Sequence, residues 1–179
     1  MCGMSVLSLN EAKKVKQMAK VFIGVGSNID CEANIRSGIK AMKEHFSNLS
    51  VSTVYESSSV GFSGDNFLNL IVAMETDLGA VELQDKLHEI EADFGRVRGG
   101  QRYVSRTLDL DLLLYDDLII DEKDLQLPRE DVTKFAFVLK PLAEIAGSLR
   151  HPVSGISYSE LWKNFEQSDQ KLWPVEIDL

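Results

Sequence analysis

Apolar and polar residues alternate along this chain in two rhythms, one of two residues and one of three to four. Val21–Gly26 (VFIGVG) is a short β-branched run closing on glycine, which predicts a buried strand. Asp30 is placed to cap the helix that follows, where Ile35, Ile39, Met42 and Phe46 recur at steps of four, three and four. Ser50–Glu56 (SVSTVYE) puts Val51, Thr53 and Tyr55 on one side of a second strand. Ser57–Asn66 (SSSVGFSGDN) is rich in small residues and predicts a loop, and Phe67–Thr76 (FLNLIVAMET) a third strand. From Glu82 to Phe94, Leu83, Leu87, Ile90 and Phe94 form one helical stripe. Gly95–Arg106 predicts a loop and Thr107–Tyr115 (TLDLDLLLY) a fourth strand, with further helical pieces at 135–146 and 158–165.

Strand, helix, strand, strand, helix, strand is the order of a split βαβ, ferredoxin-like α+β fold. It is an antiparallel sheet with both helices on one face, here with C-terminal additions. Residues 1–20 are set apart as an N-terminal extension, and 21–179 are expected to form a single domain. The extension has its apolar stretch before its lysines, the reverse of a secretory signal. No window approaches the roughly 18 apolar residues of a membrane span.

Composition narrows the function. The 179 residues carry 28 acids and 19 bases, a formal charge of −9. That opposes a protein whose whole surface binds nucleic acid or anionic membrane, because both need a broad positive field. Two cysteines, Cys2 and Cys31, cannot make a disulfide framework and lack metal spacing, so the expectation is reduced thiols and a cytoplasmic location.

Against this acidic background, residues 95–111 (GRVRGGQRYVSRTLDLD) reverse the charge locally. Arg96, Arg98, Arg102 and Arg106 place four guanidiniums within eleven residues with no acid among them. Gly99 and Gly100 add backbone freedom. Arginine forks suit a polyphosphate, since each binds two phosphate oxygens at a time. A solvated, salt-bridged loop fits the same residues equally well. Asp109 and Asp111 follow, two apart on a strand and therefore on one side with Thr107 and Leu113, while Leu108, Leu110, Leu112 and Leu114 face the other way. Two carboxylates about 7 Å apart repel by roughly 2 kcal/mol at an effective dielectric near 20. Solvent, an arginine or hard cations must offset that. Magnesium held by one or two carboxylates plus substrate phosphates is one such arrangement, so the two segments together describe Mg-nucleotide phosphate transfer. There is no P-loop motif, and Gly24-Val25-Gly26 lacks the third glycine of a dinucleotide fingerprint, so those glycines read as a tight strand exit. His88 lies one turn before Glu91 on the second helix and, by itself, reads as a solvent-facing residue.

The segments VFIGVGSN, FLNLIVAMET, GRVR, RTLDLDLLLY, LQLP and FVLKPLAEIA resemble the 6-hydroxymethyl-7,8-dihydropterin pyrophosphokinases, over about Val21 to Trp162. The resemblance implies the same ferredoxin-like fold and transfer of pyrophosphate from ATP to the pterin's hydroxymethyl oxygen, releasing AMP in folate biosynthesis, with two Mg2+ ions. By resemblance, Asp109 and Asp111 hold the metal, and Arg96 and Arg106 are catalytic on the transferring phosphates. Arg98, Arg102, Tyr103, His88, Glu91, Leu112 and Arg129 fall on the ATP side. Ser57, Ser58, Val60, Phe67, Asn69 and Phe137 fall on the pterin side, with Phe67 and Phe137 sandwiching the ring. The implied partners are these small molecules, with neither nucleic acid nor membrane, and a monomer is the expectation.

Four places depart from the family pattern. The usual Trp-Gly-Pro is Tyr103-Val104-Ser105, and the usual Thr-Pro is Ser57-Ser58. The usual Pro-His is Pro128-Arg129, and an arginine expected before Ala-Phe-Val is Phe135. Two of these lie on the ATP side, which sets an alternative beside the enzyme: an impaired paralogue that binds pterin or nucleotide. An RNA-binding module on the same fold fits poorly, because the chain is acidic and lacks paired base-stacking aromatic segments.

Overall fold

The computed structural model describes residues 18–59, 65–95, 106–166 and 170–179. In chain order they form β1 Ala19–Ser27, α1 Cys31–His45, β2 Ser50–Val51, β3 Val54–Ser57, β4 Phe67–Thr76, α2 Ala80–Asp93 and β5 Asp109–Tyr115. A small hairpin, β6 Ile120–Asp121 and β7 Gln126–Leu127, then leads through α3 Asp131–Lys134, α4 Ala136–Ala146 and α5 Tyr158–Lys163 to β8 Leu172–Val175. Of the expected N-terminal extension, residues 1–17 lie outside the described residues, and β1 starts at Ala19.

The strands form one antiparallel sheet in the order β5-β1-β4-β3-β8, with β2 also on β4. The first four are the split βαβ order, and β8 is a C-terminal addition on the β3 edge. Helices α1 and α2 share one face, where Ile35, Ile39, Met42, Leu83, Leu87 and Ile90 meet Val21, Ile23, Val25, Leu70 and Val72. The periodic stripes of the two helices are thus the inner layer of the core. The opposite face is covered by α4 and α5, through Val138, Leu139, Leu142 and Tyr158 against Phe22 and Ile71. Covered on both sides, β1 and β4 need apolar residues at successive positions, which is why VFI and LIVAM read as unbroken runs.

Four local expectations change. The glycines of GVG lie inside β1, which continues to Ser27, and so do not mark a strand exit. The Ser50–Glu56 strand is broken at Ser52, whose Oγ accepts from the Ile71 N–H at 2.9 Å while its own N–H donates to the Ile71 carbonyl at 2.9 Å. The break moves the register by one, from Val51↔Val72 to Tyr55↔Asn69. Val51 and Val54 then serve the α1–α2 core, Thr53 is exposed, and Tyr55 points to the other face, where its hydroxyl donates to Glu144 of α4. A similar irregularity on β5 pairs Phe22 with Leu114 and Ile23 with Leu112. Leu113 is the extra residue, and Leu113 and Leu114 both join the α4–α5 core instead of facing opposite ways. Finally, Asp30 precedes α1 in a left-handed conformation (φ 40°) and makes no side-chain cap; its carbonyl accepts the Asn34 N–H at 3.0 Å.

Candidate active site

Strand β5 is the outer edge of the sheet, so a ligand can reach past it on either face. A cleft of about 700 Å³ does so. On the α4 side it is floored by Gly26 and walled by Ser57, Ser58, Phe67, Asn69, Phe135 and Phe137. On the outer side it is lined by Gln84 and His88 of α2, by Leu112 and by the 123–126 turn. Asp109 and Asp111 stand between the two halves.

The floor explains Gly26, whereas Gly24 lies under the Leu113 side chain. Gly26 pairs with Asp109 on one side and Asn69 on the other. A Cβ at Gly26 would lie 3.4 Å from Asn69 Oδ1 and 3.9 Å from Asp109 Cβ, filling the space between those two side chains. Asn69 is buried and donates from Nδ2 to Ser57 Oγ at 2.9 Å. Phe137 lines the cleft together with Phe67 and stacks on Phe135, with centroids 5.1 Å apart and planes 16° from parallel.

The Phe135–Phe137 wall is held from a distant part of the chain. Gln170 accepts the Ala136 N–H at 2.8 Å and donates to the Lys134 carbonyl at 3.0 Å, bracketing the entry to α4. Gln170→Ala is expected to raise the KM for an aromatic substrate about fivefold with kcat unchanged, the equivalent of about 1 kcal/mol of lost positioning. Steady-state kinetics with each substrate varied in turn checks it.

The acid pair is matched by two bases. Arg106 forms an ion pair with Asp109. Its backbone is fixed by buried Asn28, whose Oδ1 accepts the Arg106 N–H at 2.6 Å and whose own N–H donates to the Arg106 carbonyl at 3.0 Å. Arg129 follows the cis Leu127–Pro128 bond, docks its N–H on the Leu113 carbonyl at 3.0 Å and brings Nη1 to 3.2 Å from Asp111 Oδ1. Asp131 takes the rest of that guanidinium, at 2.9 Å from Nη2 and 3.0 Å from Nε. Lys134, the other basic residue near this corner, is paired with Glu130.

Burial in the cleft, and next the charge of Asp109, push the Asp111 carboxyl up to about 6. Since this exceeds the unfolded value near 3.9, ionised Asp111 opposes folding above pH 6, and the opposition fades as pH falls from about 6 toward 4. Asp111→Asn is therefore expected to raise the Tm of metal-free protein at pH 8 and to lose that advantage near pH 4. Thermal melts in a chelator across that range check the sign.

Glu91 occupies a different place from the cleft-lining residues. It is fully buried, and its Oε1 accepts the Leu110 N–H at 2.8 Å. An edge strand leaves alternate N–H groups without a strand partner, and Glu91 satisfies one of them. Arg96, Arg98, Arg102, Tyr103 and Val60 lie outside the described residues. Asn28, Asp131 and Gln170 escaped sequence reasoning. Asn28 had a signal, the Ser-Asn directly after the first strand, but the other two had none.

Two carboxylates facing a cleft suit hard cations that draw their remaining ligands from water and substrate phosphates. Among the described residues no cluster of three or more His, Cys, Asp or Glu could hold a metal without such help. Residues 22–147 match the family described as 7,8-dihydro-6-hydroxymethylpterin-pyrophosphokinase. The chain belongs to this family. It is 36% identical over 138 residues to the 2-amino-4-hydroxy-6-hydroxymethyldihydropteridine pyrophosphokinase of Aquifex aeolicus, covering 76% of this chain and 86% of that one. Identity to the Haemophilus influenzae pyrophosphokinase is 36% over 160 residues, covering 87% and 97%. In fold it is similar to a Plasmodium falciparum HPPK-DHPS crystal structure, with TM-score 0.68 and 12% identity over 82% of this chain; it spans 41% of that longer chain. Within this pyrophosphokinase family the ferredoxin-like order expected from the sequence is borne out. No helix among the described residues is long and apolar enough to cross a membrane.

Proposed function

We propose that this chain catalyses the reaction for which its family is named. It transfers pyrophosphate from ATP to 6-hydroxymethyl-7,8-dihydropterin and releases AMP, a step of folate biosynthesis. The hydroxymethyl oxygen attacks the β-phosphorus of ATP as the bond to the α-phosphate oxygen breaks. The observation that carries this reading is the position of Asp109 and Asp111, on the edge strand between an aromatic, amide-lined half-cleft and a half-cleft lined by His88, Leu112 and Arg129.

The pterin side comprises Ser57, Ser58, Phe67, Asn69 and Phe137, where a flat heteroaromatic ring can lie against phenylalanine and meet the Asn69 amide. Asp109 and Asp111 would hold two Mg2+ ions, which when bound neutralise charge on the transferring phosphates. Arg106, with Arg96, steadies the phosphates, and Arg98, Arg102 and Tyr103 belong to the ATP side by resemblance. Asn28 fixes the Arg106 backbone, and the ion pair with Asp109 places its guanidinium at the cleft. Glu91 acts on the ATP side indirectly, by holding β5. The proposed enzyme acts as a monomer in the cytoplasm.

The test is AMP release from ATP and Mg2+ with and without 6-hydroxymethyl-7,8-dihydropterin. Pterin-dependent AMP is the expected result. Pterin binding with no AMP, under conditions where a control pyrophosphokinase turns over, would replace this reading with that of a binding protein.

A further inference from the structure

Arg129 is held unequally by its two carboxylates. Toward Asp131 it makes two bonds, Nη2 at 2.9 Å and Nε at 3.0 Å, both to Oδ2. Toward Asp111 it makes one longer contact, Nη1 at 3.2 Å from Oδ1. Its backbone is anchored independently, through the N–H on the Leu113 carbonyl. The side chain can therefore lose Asp111 and remain in place. Asp111 has the opposite character: it lies in the cleft on the strand that carries Asp109, and Arg129 is the base that meets its carboxylate.

We propose that Arg129 is a latch on the carboxylate pair. In the free protein its Nη1 lies 3.2 Å from Asp111 Oδ1 and competes with a divalent cation for that carboxylate. Cation entry displaces Nη1 from Asp111, while the two bonds to Asp131 retain the guanidinium at the cleft wall. The freed N–H then faces the cleft and is available to a substrate phosphate. A guanidinium and a divalent cation on one carboxylate repel each other as like charges, so cation binding favours release of Nη1. By linkage, a phosphate that recruits Arg129 also helps the cation bind, beyond the direct attraction of cation for phosphate. The inference rests on the assignment of Asp109 and Asp111 as the metal-holding pair.

The experiment is calorimetric titration of the nucleotide-free full chain with Mn2+, for wild type, Arg129→Gln and Lys123→Gln. Lys123 also lines the cleft, and its replacement removes one positive charge without touching Asp111, which controls for the general field. Arg129→Gln is expected to lower the Kd for Mn2+ at least tenfold and Lys123→Gln no more than about twofold. A crystal structure of the wild type with Mn2+ alone supplies the second readout. Arg129 is expected on Asp131 only, with Asp111 on the metal. Equal effects of the two substitutions, or Nη1 still on Asp111 beside a bound Mn2+, would overturn the latch while leaving the metal pair intact. Failure of every variant to bind Mn2+, with ATP added as well, would overturn the metal pair and the latch together.

Discussion

Asp109→Ala is expected to lower pterin-dependent AMP formation by at least about a thousandfold, with the fold retained. Loss of one group that stabilises the transferring charge costs on the order of 10²–10³ in rate, and Asp109 serves twice. It would hold metal, and it pairs with Arg106, whose backbone Asn28 has already fixed. Without Asp109 the guanidinium has no counter-charge at that position and can collapse onto Asp111. Circular dichroism should show an intact fold, because the side chain faces the cleft and adds nothing to either core cluster. Steady-state AMP release is the measurement, and turnover within tenfold of wild type would exclude Asp109 as a metal-holding group.

Glu91→Ala is expected to act on stability first. It removes the buried acceptor of the Leu110 N–H and leaves a polar backbone group and a small cavity at the foot of β5. An unsatisfied buried group together with the lost packing costs about 3 kcal/mol, or roughly 6–12 °C in Tm for a chain of this size. Glu91→Gln keeps an acceptor oxygen and should lose less than half as much. Thermal melts of both variants decide the matter. A Glu91→Ala protein with wild-type Tm and a raised KM for ATP would return Glu91 to direct nucleotide contact.

How much of this was visible beforehand depends on the range of the interaction. The stripes Ile35–Ile39–Met42 and Leu83–Leu87–Ile90 are set by the helical repeat, and both proved to be core faces. The arginine-rich run and the acid pair stood out because their charges lie close together in sequence. The two breaks of phase, at Ser52 and at Leu113, could not be read. A strand's alternation is local, but where it slips is decided by the strand beside it. The same holds for the glycines of GVG. Their small size was evident, but the cleft above Gly26 exists only once Asp109 and Asn69 flank β1.

The β6–β7 hairpin, α3 and β8 were not legible, but the sequence by itself determined the order of the core strands and helices as far as β5, the placement of Asp109 and Asp111 on one side of a strand, and the family. Each of these depends on residue spacings of two to four or on contiguous motifs. Only the tertiary structure decided which base meets which acid, that Glu91 braces the edge strand, and that Asn28 and Gln170 fix parts of the site. Asn28 and Arg106 are 78 residues apart and Lys134 and Gln170 are 36 apart, so neither pairing is written in any local period. Such contacts follow from sheet register and chain crossings, and those are chosen by burial of the whole core.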